Sequence, residues 1–266
     1  MDSNLLLAVD IGNSQTVLGV YDLDVPATEA DSGLLHYWQV ETKVGRTADE
    51  LAAVIGGFFR LAGLDFSNID GVSICSGVPQ VLMTVRHLVD RYLDVDPVVI
   101  GPGVKSGVPI LYDNPREVGA DRIANAAAAY DLYGGPVIVV DFGTGTNFDI
   151  VSESGGFLGG AITPGVEISM EALRSHASAL SAVELAAPRN VIGRSTSEAL
   201  QSGAVYGFAG SVDGLVARFQ TELDGEARVV ATGRHADLIA PFAASVELVE
   251  PHITLHGLRL VHRRNS

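Results

Sequence analysis

Two aspartates carry the first chemical signal in this chain. Asp10 closes the apolar run Leu5 to Val9 and opens Asp10-Ile11-Gly12, and Asp141 closes Pro136-Val-Ile-Val-Val and opens Asp141-Phe142-Gly143. A carboxylate gains nothing from the end of a strand buried on both faces, unless it meets a cation or a polar ligand there. Placed so, it can hold a hydrated magnesium ion beside a triphosphate. The small residues that follow, Gly12, Asn13 and Ser14 in one copy and Gly143, Thr144, Gly145 and Thr146 in the other, let backbone amides and hydroxyls approach phosphate oxygens. Either turn alone is weak evidence, because Asp and Gly populate hairpin tips for backbone reasons. The repetition gives the signal its weight.

A second group lies in Gly119-Ala120-Asp121-Arg122, where a glycine meets an alanine-rich helical stretch. In the structural reading Asp121 caps that helix and Arg122 pairs with Glu117 on the surface. In the functional reading the carboxylate is a proton acceptor and the guanidinium a planar fork for an anionic substrate. Cys75 is the one cysteine, so no internal disulfide forms, and its setting in GVSICSG reads as a buried structural thiol. His176 and the six other histidines show no metal-ligand spacing. There is no GxxxxGK[ST] loop and no GxGxxG fingerprint.

The elements that must position these groups follow from periodicity. Leu5 to Val9 and Thr16 to Tyr21 form a hairpin with a polar tip, and Leu35 to Val40 adds a third strand. Thr47 and Glu50 make a capping box for a helix carrying Leu51, Ile55, Phe58 and Leu61 on one face. Gly71 to Cys75 is a strand, Pro79 to Tyr92 an amphipathic helix, and Asp96 to Ile100 a further strand; Arg122 to Tyr130 is helical. The opening pattern returns 131 positions downstream, which is half the chain. Two copies of strand, Asp-x-Gly turn and strand, each followed by helices, indicate a duplicated α/β architecture with lobes 1–115 and 116–266, joined near Gly103, Gly107, Pro109 and Pro115. Leu258 to Arg264 reads as a terminal helix whose basic residues suit its C-terminal end.

Composition sets the outer limits. The 266 residues are 47% hydrophobic, enough for a core, and carry a formal charge of −15. That field disfavours nucleic acid and anionic membrane surfaces, and an anionic substrate needs a local positive feature to overcome it. The start MDSNLLLAVD lacks a basic segment, and no apolar run reaches membrane-spanning length, so a cytoplasmic protein is expected.

The segments Asp10-Ile-Gly-Asn13, Asn114-Pro-Arg-Glu-Val-Gly-Ala-Asp-Arg122, Asp141-Phe-Gly-Thr-Gly-Thr146, Gly159-Gly-Ala-Ile-Thr-Pro-Gly165, Gly193-Arg-Ser-Thr196 and Gly203 through Gly210 resemble the type III pantothenate kinases, within the actin-like ATPase and sugar-kinase superfamily. The resemblance implies two ribonuclease-H-like lobes around a nucleotide cleft and transfer of phosphate from ATP to pantothenate, in a homodimer. It implies ATP contacts from Asp10, Ile11, Gly12, Asn13, Ser14, Gln15, Thr16, Val17 and Thr144, with magnesium near Asp10. Pantothenate contacts fall on Tyr112, Gly119, Ala120, Asp121, Arg122 and Thr196, with Asp121 as general base and Arg122 on the substrate carboxylate. Asp141 is implied to contact potassium or ammonium. The sequence departs from the family pattern at Gly145 and Asn147 of the second loop, and at Arg234 in Thr232-Gly233-Arg234. Two alternatives remain: a kinase of the same superfamily with another acceptor, such as a sugar or an acetate-like acid, and a non-catalytic regulatory protein that keeps the fold.

Overall fold

The computed structural model describes residues 4–177 and 183–266. In the first half, β1 (Leu5–Ile11) is the centre of a five-stranded sheet. It pairs antiparallel with β2 (Gln15–Asp22), which pairs antiparallel with β3 (Leu34–Glu41). On its other side β1 runs parallel to β4 (Ile69–Ser76), and the two-residue β5 (Val98–Val99) follows, giving the order β3-β2-β1-β4-β5. Both faces of β1 are covered, as its unbroken apolar run requires. Leu5, Leu7, Val9 and Ile11 pack with Leu51, Ile55 and Phe59 of α1 (Ala48–Leu61) and with Val81, Val85, Leu88 and Val89 of α2 (Pro79–Tyr92).

The expected capping box is present: Thr47 N–H donates to Glu50 Oε2 at 2.8 Å, and Glu50 N–H to Thr47 Oγ1 at 3.2 Å. One expectation for this helix is corrected, because Leu61 is 88% exposed. Residues 51, 55 and 59 form the buried stripe, and Leu61, two positions after Phe59, falls on the opposite side of the helix.

The opposite face of β1, with Leu6 and Ala8, packs against Ala124 of α3 (Ala120–Tyr133) and Leu255, Leu258 and Val261 of α7 (Ile253–Asn265). Alternation along the strand puts Asp10 on this same face. That parity directs the Asp10 carboxylate to the side where α3 lies. The contact between α3 and α7 is close: a β-carbon at Gly257 would lie 2.1 Å from the Ala124 carbonyl oxygen.

The second half repeats the plan. β6 (Val137–Phe142) pairs antiparallel with β7 (Gly145–Val151), and β7 with β8 (Phe157–Pro164). β6 runs parallel to β9 (Arg228–Thr232), and β9 to β10 (Leu248–Val249). The order β10-β9-β6-β7-β8 is the first sheet's order strand for strand. Ile138, Val140 and Phe142 pack with Val205, Ala209, Val212 and Val216 of α5 (Thr196–Glu222); α4 (Val166–His176) and the short α6 (Ala236–Ile239) complete the layer.

The 131-residue offset ends at the turn. Ile11 pairs with Thr16, but Phe142 pairs with Thr146, so the second turn is one residue shorter. Thr146 and Asn147 therefore take the register places of Thr16 and Val17.

The chain divides into two compact units, Met1–Leu132 with His252–Ser266, and Tyr133–Pro251. This differs from the division expected at 115/116: α3 stays with the first unit, and α7 returns to it. The basic residues of α7 also divide. Arg263 and Arg264 are exposed in the last turn, as expected, whereas Arg259 is wholly buried. It donates to the carbonyls of Ser32, Asp22 and Val25 and lies over the Tyr21 ring, which ties α7 to the loop after β2.

Candidate functional site

The first unit brings Asp10 and Asp121 together. Asp10 is the next-to-last residue of β1, between Val17 on β2 and Cys75 on β4, its two register partners. Neither neighbour offers a cation. The Asp10 carboxyl is raised to about 7, first because burial penalises its charge, then because Asp121 adds a second negative charge nearby. A hydrogen bond from Cys75 Sγ to Asp10 Oδ1, at 3.2 Å, pulls the other way. The Cys75 thiol is itself pushed up by burial and by both carboxylates, so it stays protonated and can donate.

Asp121 lies one residue inside α3, in the first turn, rather than at its cap. Its Oδ1 accepts the Arg122 N–H at 2.9 Å. Gly119 is needed beside it, since a β-carbon there would come within 2.5 Å of Asp121 Oδ1. The surface reading of Arg122 fails: the residue is 7% exposed. Glu117 accepts from Asn114 Nδ2 at 2.7 Å, in the short turn Pro115–Glu117 that leads into α3. A buried arginine next in the chain to Asp121 is the local positive feature that the −15 charge requires. Ala120 opens α3, and Tyr112 stands half-buried in the loop before it.

The tip of the first hairpin is tightly bonded. Gly12 N–H donates to Gln15 O at 3.0 Å, Thr42 N–H to Ser14 O at 3.0 Å, and Thr16 Oγ1 shares a 2.8 Å hydrogen bond with Thr42 Oγ1. Asn13 and Ser14 are exposed. Ile11 is fully buried in the core, so any ligand contact from it is through its main chain.

In the second unit Asp141 is half-buried between Asn147 on β7 and Thr232 on β9. Both neighbours are polar, in contrast to those of Asp10. Gly233, at φ +88°, lies so near that a β-carbon would be 2.3 Å from Asp141 Oδ1, and Gly143 brings the next approach at 3.4 Å. Thr144 accepts from Gly165 N–H at 3.1 Å and holds the loop against the start of α4. Arg234 forms an ion pair with Glu167 of α4, and His235 Nε2 stands 3.3 Å from the same carboxylate. Thr196 is the exposed first residue of α5; the cap is Ser195, which accepts from Glu198 N–H at 3.2 Å.

Among the described residues no three His, Cys, Asp or Glu side chains converge as a metal cage. The donors that remain are single carboxylates with small residues around them. That set fits a hydrated cation carried in with a polyphosphate, since magnesium retains most of its waters. The raised Asp10 carboxyl beside Asp121 is a site where a cation would favour the ionised form. Two contributors escaped the sequence reading. The contact of Cys75 with Asp10 was legible only by pairing β4 parallel to β1, and that of Glu167 with Arg234 had no sequence signal.

Sheet order and helical layers define the class. Component A of the (R)-2-hydroxyglutaryl-CoA dehydratase of Acidaminococcus fermentans matches 98% of this chain and 96% of its own, with a TM-score of 0.55 at 13% identity. The inorganic polyphosphate/ATP-glucomannokinase of an Arthrobacter strain matches 99% and 100%, with a TM-score of 0.52 at 14% identity. The fold is thus the duplicated ribonuclease-H-like fold of the actin-like ATPases and sugar kinases.

Sequence narrows this to one family. Residues 6–218 match the family model of type III pantothenate kinase. The type III pantothenate kinase of Streptomyces griseus is 49% identical, with 98% of both chains covered, and that of Frankia alni is 51% identical over 98% of this chain and 100% of its own. The chain belongs to the type III pantothenate kinase family. Among its described residues no helix is long and apolar enough to cross a membrane.

Proposed function

We propose that this chain transfers the γ-phosphoryl group of ATP to the terminal hydroxyl of pantothenate, giving 4'-phosphopantothenate and ADP, the first step of coenzyme A biosynthesis. The observation that carries the reading is the Asp10–Asp121 pair on one face of the first sheet, with the buried Arg122 next to Asp121 in the first turn of α3. Arg122 takes the substrate carboxylate, an interaction whose bidentate geometry fixes orientation as well as charge. Tyr112, Gly119, Ala120 and Thr196 complete the substrate contacts. Asp121 then accepts the hydroxyl proton as the oxygen bonds to phosphorus and the bond to ADP breaks.

The first hairpin, Asp10 to Val17, offers backbone amides and the Asn13 and Ser14 side chains to the nucleotide, and Thr144 offers a hydroxyl. Magnesium arriving with ATP would be held by Asp10 through its water shell and supplies neutralisation of the phosphate charge. Asp141, with polar neighbours and open glycine walls, suits the less demanding coordination of potassium or ammonium. Positioning and charge neutralisation supply most of the rate, and the general base adds on the order of 10²–10⁴-fold. The working form is a cytoplasmic homodimer.

The test is ATP consumption with pantothenate, with sugars and with acetate, each with and without potassium. Turnover confined to pantothenate and enhanced by potassium supports the reading. Turnover with a sugar or acetate assigns another acceptor, and no turnover with any of them favours a regulatory protein that keeps the fold.

A further inference from the structure

The duplication gives each hairpin aspartate a register partner with one side-chain donor on the adjacent parallel strand. Asp10 faces Cys75, and Asp141 faces Thr232. The two donors are used differently. Thr232 Oγ1 donates to the Glu250 carbonyl at 2.8 Å, toward β10 and away from the carboxylate. Cys75 Sγ donates to Asp10 Oδ1 at 3.2 Å. The thiol is completely buried, on the sheet face shared with Leu6, Ala8, Leu255 and Leu258. A methyl-sized apolar group would satisfy that packing as well as sulfur does. What sulfur adds is a donor, weak by itself and stronger toward a carboxylate.

We infer that Cys75 is a positioning residue for the nucleotide–magnesium site: its thiol engages one oxygen of Asp10, fixes the carboxylate's rotamer and leaves Oδ2 for the cation's water shell. The inference rests on the reading of Asp10 as the magnesium-side carboxylate. A strand-end aspartate otherwise has several staggered wells open to it, and each ligand-binding event would have to freeze one. Holding the side chain in advance removes that cost from binding. The two halves thus repeat the same aspartate but differ in what the donor on the adjacent parallel strand engages.

The test uses Cys75→Val, which fills the volume without a donor, Cys75→Ala, and Cys75→Ser, which restores a donor. Calorimetry measures the binding of a non-hydrolysable ATP analogue with and without magnesium, together with pantothenate affinity and melting temperature. The expected result is an affinity about three- to ten-fold weaker for the magnesium–nucleotide in Val and Ala, from loss of one hydrogen bond made by a weak donor. Ser should recover most of it, and pantothenate affinity should stay constant. Folded Val or Ala variants that bind the magnesium–nucleotide as the wild type does overturn the inference. So does a loss of equal size without magnesium, or a Ser variant no better than Ala at matched stability, since either marks a packing role. A wild type that binds no nucleotide sinks the functional reading itself, and the inference with it. A wild type that binds nucleotide but spares pantothenate sinks only the substrate assignment.

Discussion

A β-carbon at Gly119 would stand 2.5 Å from Oδ1 of Asp121, so the residue before α3 and the carboxylate in its first turn occupy one space. The φ of Gly119 is not in the left-handed region, so its backbone tolerates alanine. What alanine displaces is the end of the Asp121 side chain, which can rotate away. Gly119→Ala should therefore fold with a stability change within about 1 kcal/mol, while kcat falls about ten-fold or more through misplacement of the base. Melting temperature and steady-state kinetics check this together. Unchanged kcat would mean that Asp121 need not hold its observed place.

Asp121→Asn tests the base directly. The amide matches the carboxylate in size and its oxygen can still accept the Arg122 N–H, but it cannot take a proton from the acceptor hydroxyl. Turnover should fall by about 10²-fold or more, with pantothenate binding largely kept. Wild-type turnover in this variant would reduce Asp121 to a first-turn helix residue.

For Arg122→Lys the expectation is selective loss of pantothenate. Arg122 is 7% exposed, and a lysine there replaces a planar fork with a single ammonium that must also be desolvated. Pantothenate affinity should drop about ten-fold or more, with ATP affinity much less affected. Equal losses for both ligands would identify Arg122 as part of a structural ion pair.

The raised Asp10 carboxyl gives the pH dependence a definite sign. The folded protein holds a proton on Asp10 up to about pH 7, while the unfolded chain releases it in the ordinary carboxylate range near 3.8. Folding therefore takes up a proton between those limits, and ligand-free stability falls as pH rises through that window and levels off above it. Asp10→Asn should abolish this contribution and be the more stable form above pH 7. Magnesium needs the ionised carboxylate, so magnesium–nucleotide affinity should weaken by up to about ten-fold per pH unit below 7. Thermal melts and calorimetry from pH 5.5 to 8.5 read both effects. Parallel melting profiles for Asp10→Asn and wild type would refute the assignment.

Local chemistry made much of this legible in the sequence. The Thr47–Glu50 capping box, the limits of α2 and the two apolar strands ending in Asp-x-Gly each follow from a few adjacent residues. The α5 helix was obscured because Gly203, Gly207, Gly210 and Gly214 each cost up to about 1 kcal/mol of helix propensity, which tertiary packing of Val205, Val212 and Val216 overrides. Membership of α3 and α7 in the first unit follows their packing on Leu6 and Ala8 of β1 through Ala124, Leu255, Leu258 and Val261, contacts between residues far apart in the chain, for which no local pattern exists. The Asp10–Cys75 hydrogen bond needed the parallel register of β1 and β4, which sequence alternation alone leaves open. The second turn was aligned on its Asp-x-Gly, but strand register follows the hydrogen-bond ladder, which closes one residue sooner.

The departures in that second loop give the final prediction. Gly145 begins β7 without a left-handed φ, so alanine is conformationally permitted there and would reduce the freedom of the unliganded loop. Its β-carbon would meet the Thr163 carbonyl at 3.2 Å, Asn147 Oδ1 at 3.5 Å and Ile162 Cγ2 at 3.6 Å. The tight contact is with β8, an edge strand carrying Gly159 and Gly160, which has no outer neighbour in its sheet to resist a shift of a few tenths of an ångström. Gly145→Ala should therefore fold normally and tighten ATP by up to about 1 kcal/mol. Asn147 is the register partner of Asp141, so Asn147→Thr changes the side chain directly across from the proposed monovalent-cation carboxylate. Its effect should be a shifted potassium dependence of the ATP Michaelis constant, with that for pantothenate unchanged. Measuring both constants across a potassium titration decides the matter. A weaker ATP constant in Gly145→Ala would show that β8 holds its place and the clash dominates, and a potassium profile unmoved by Asn147→Thr would separate Asp141 from the cation.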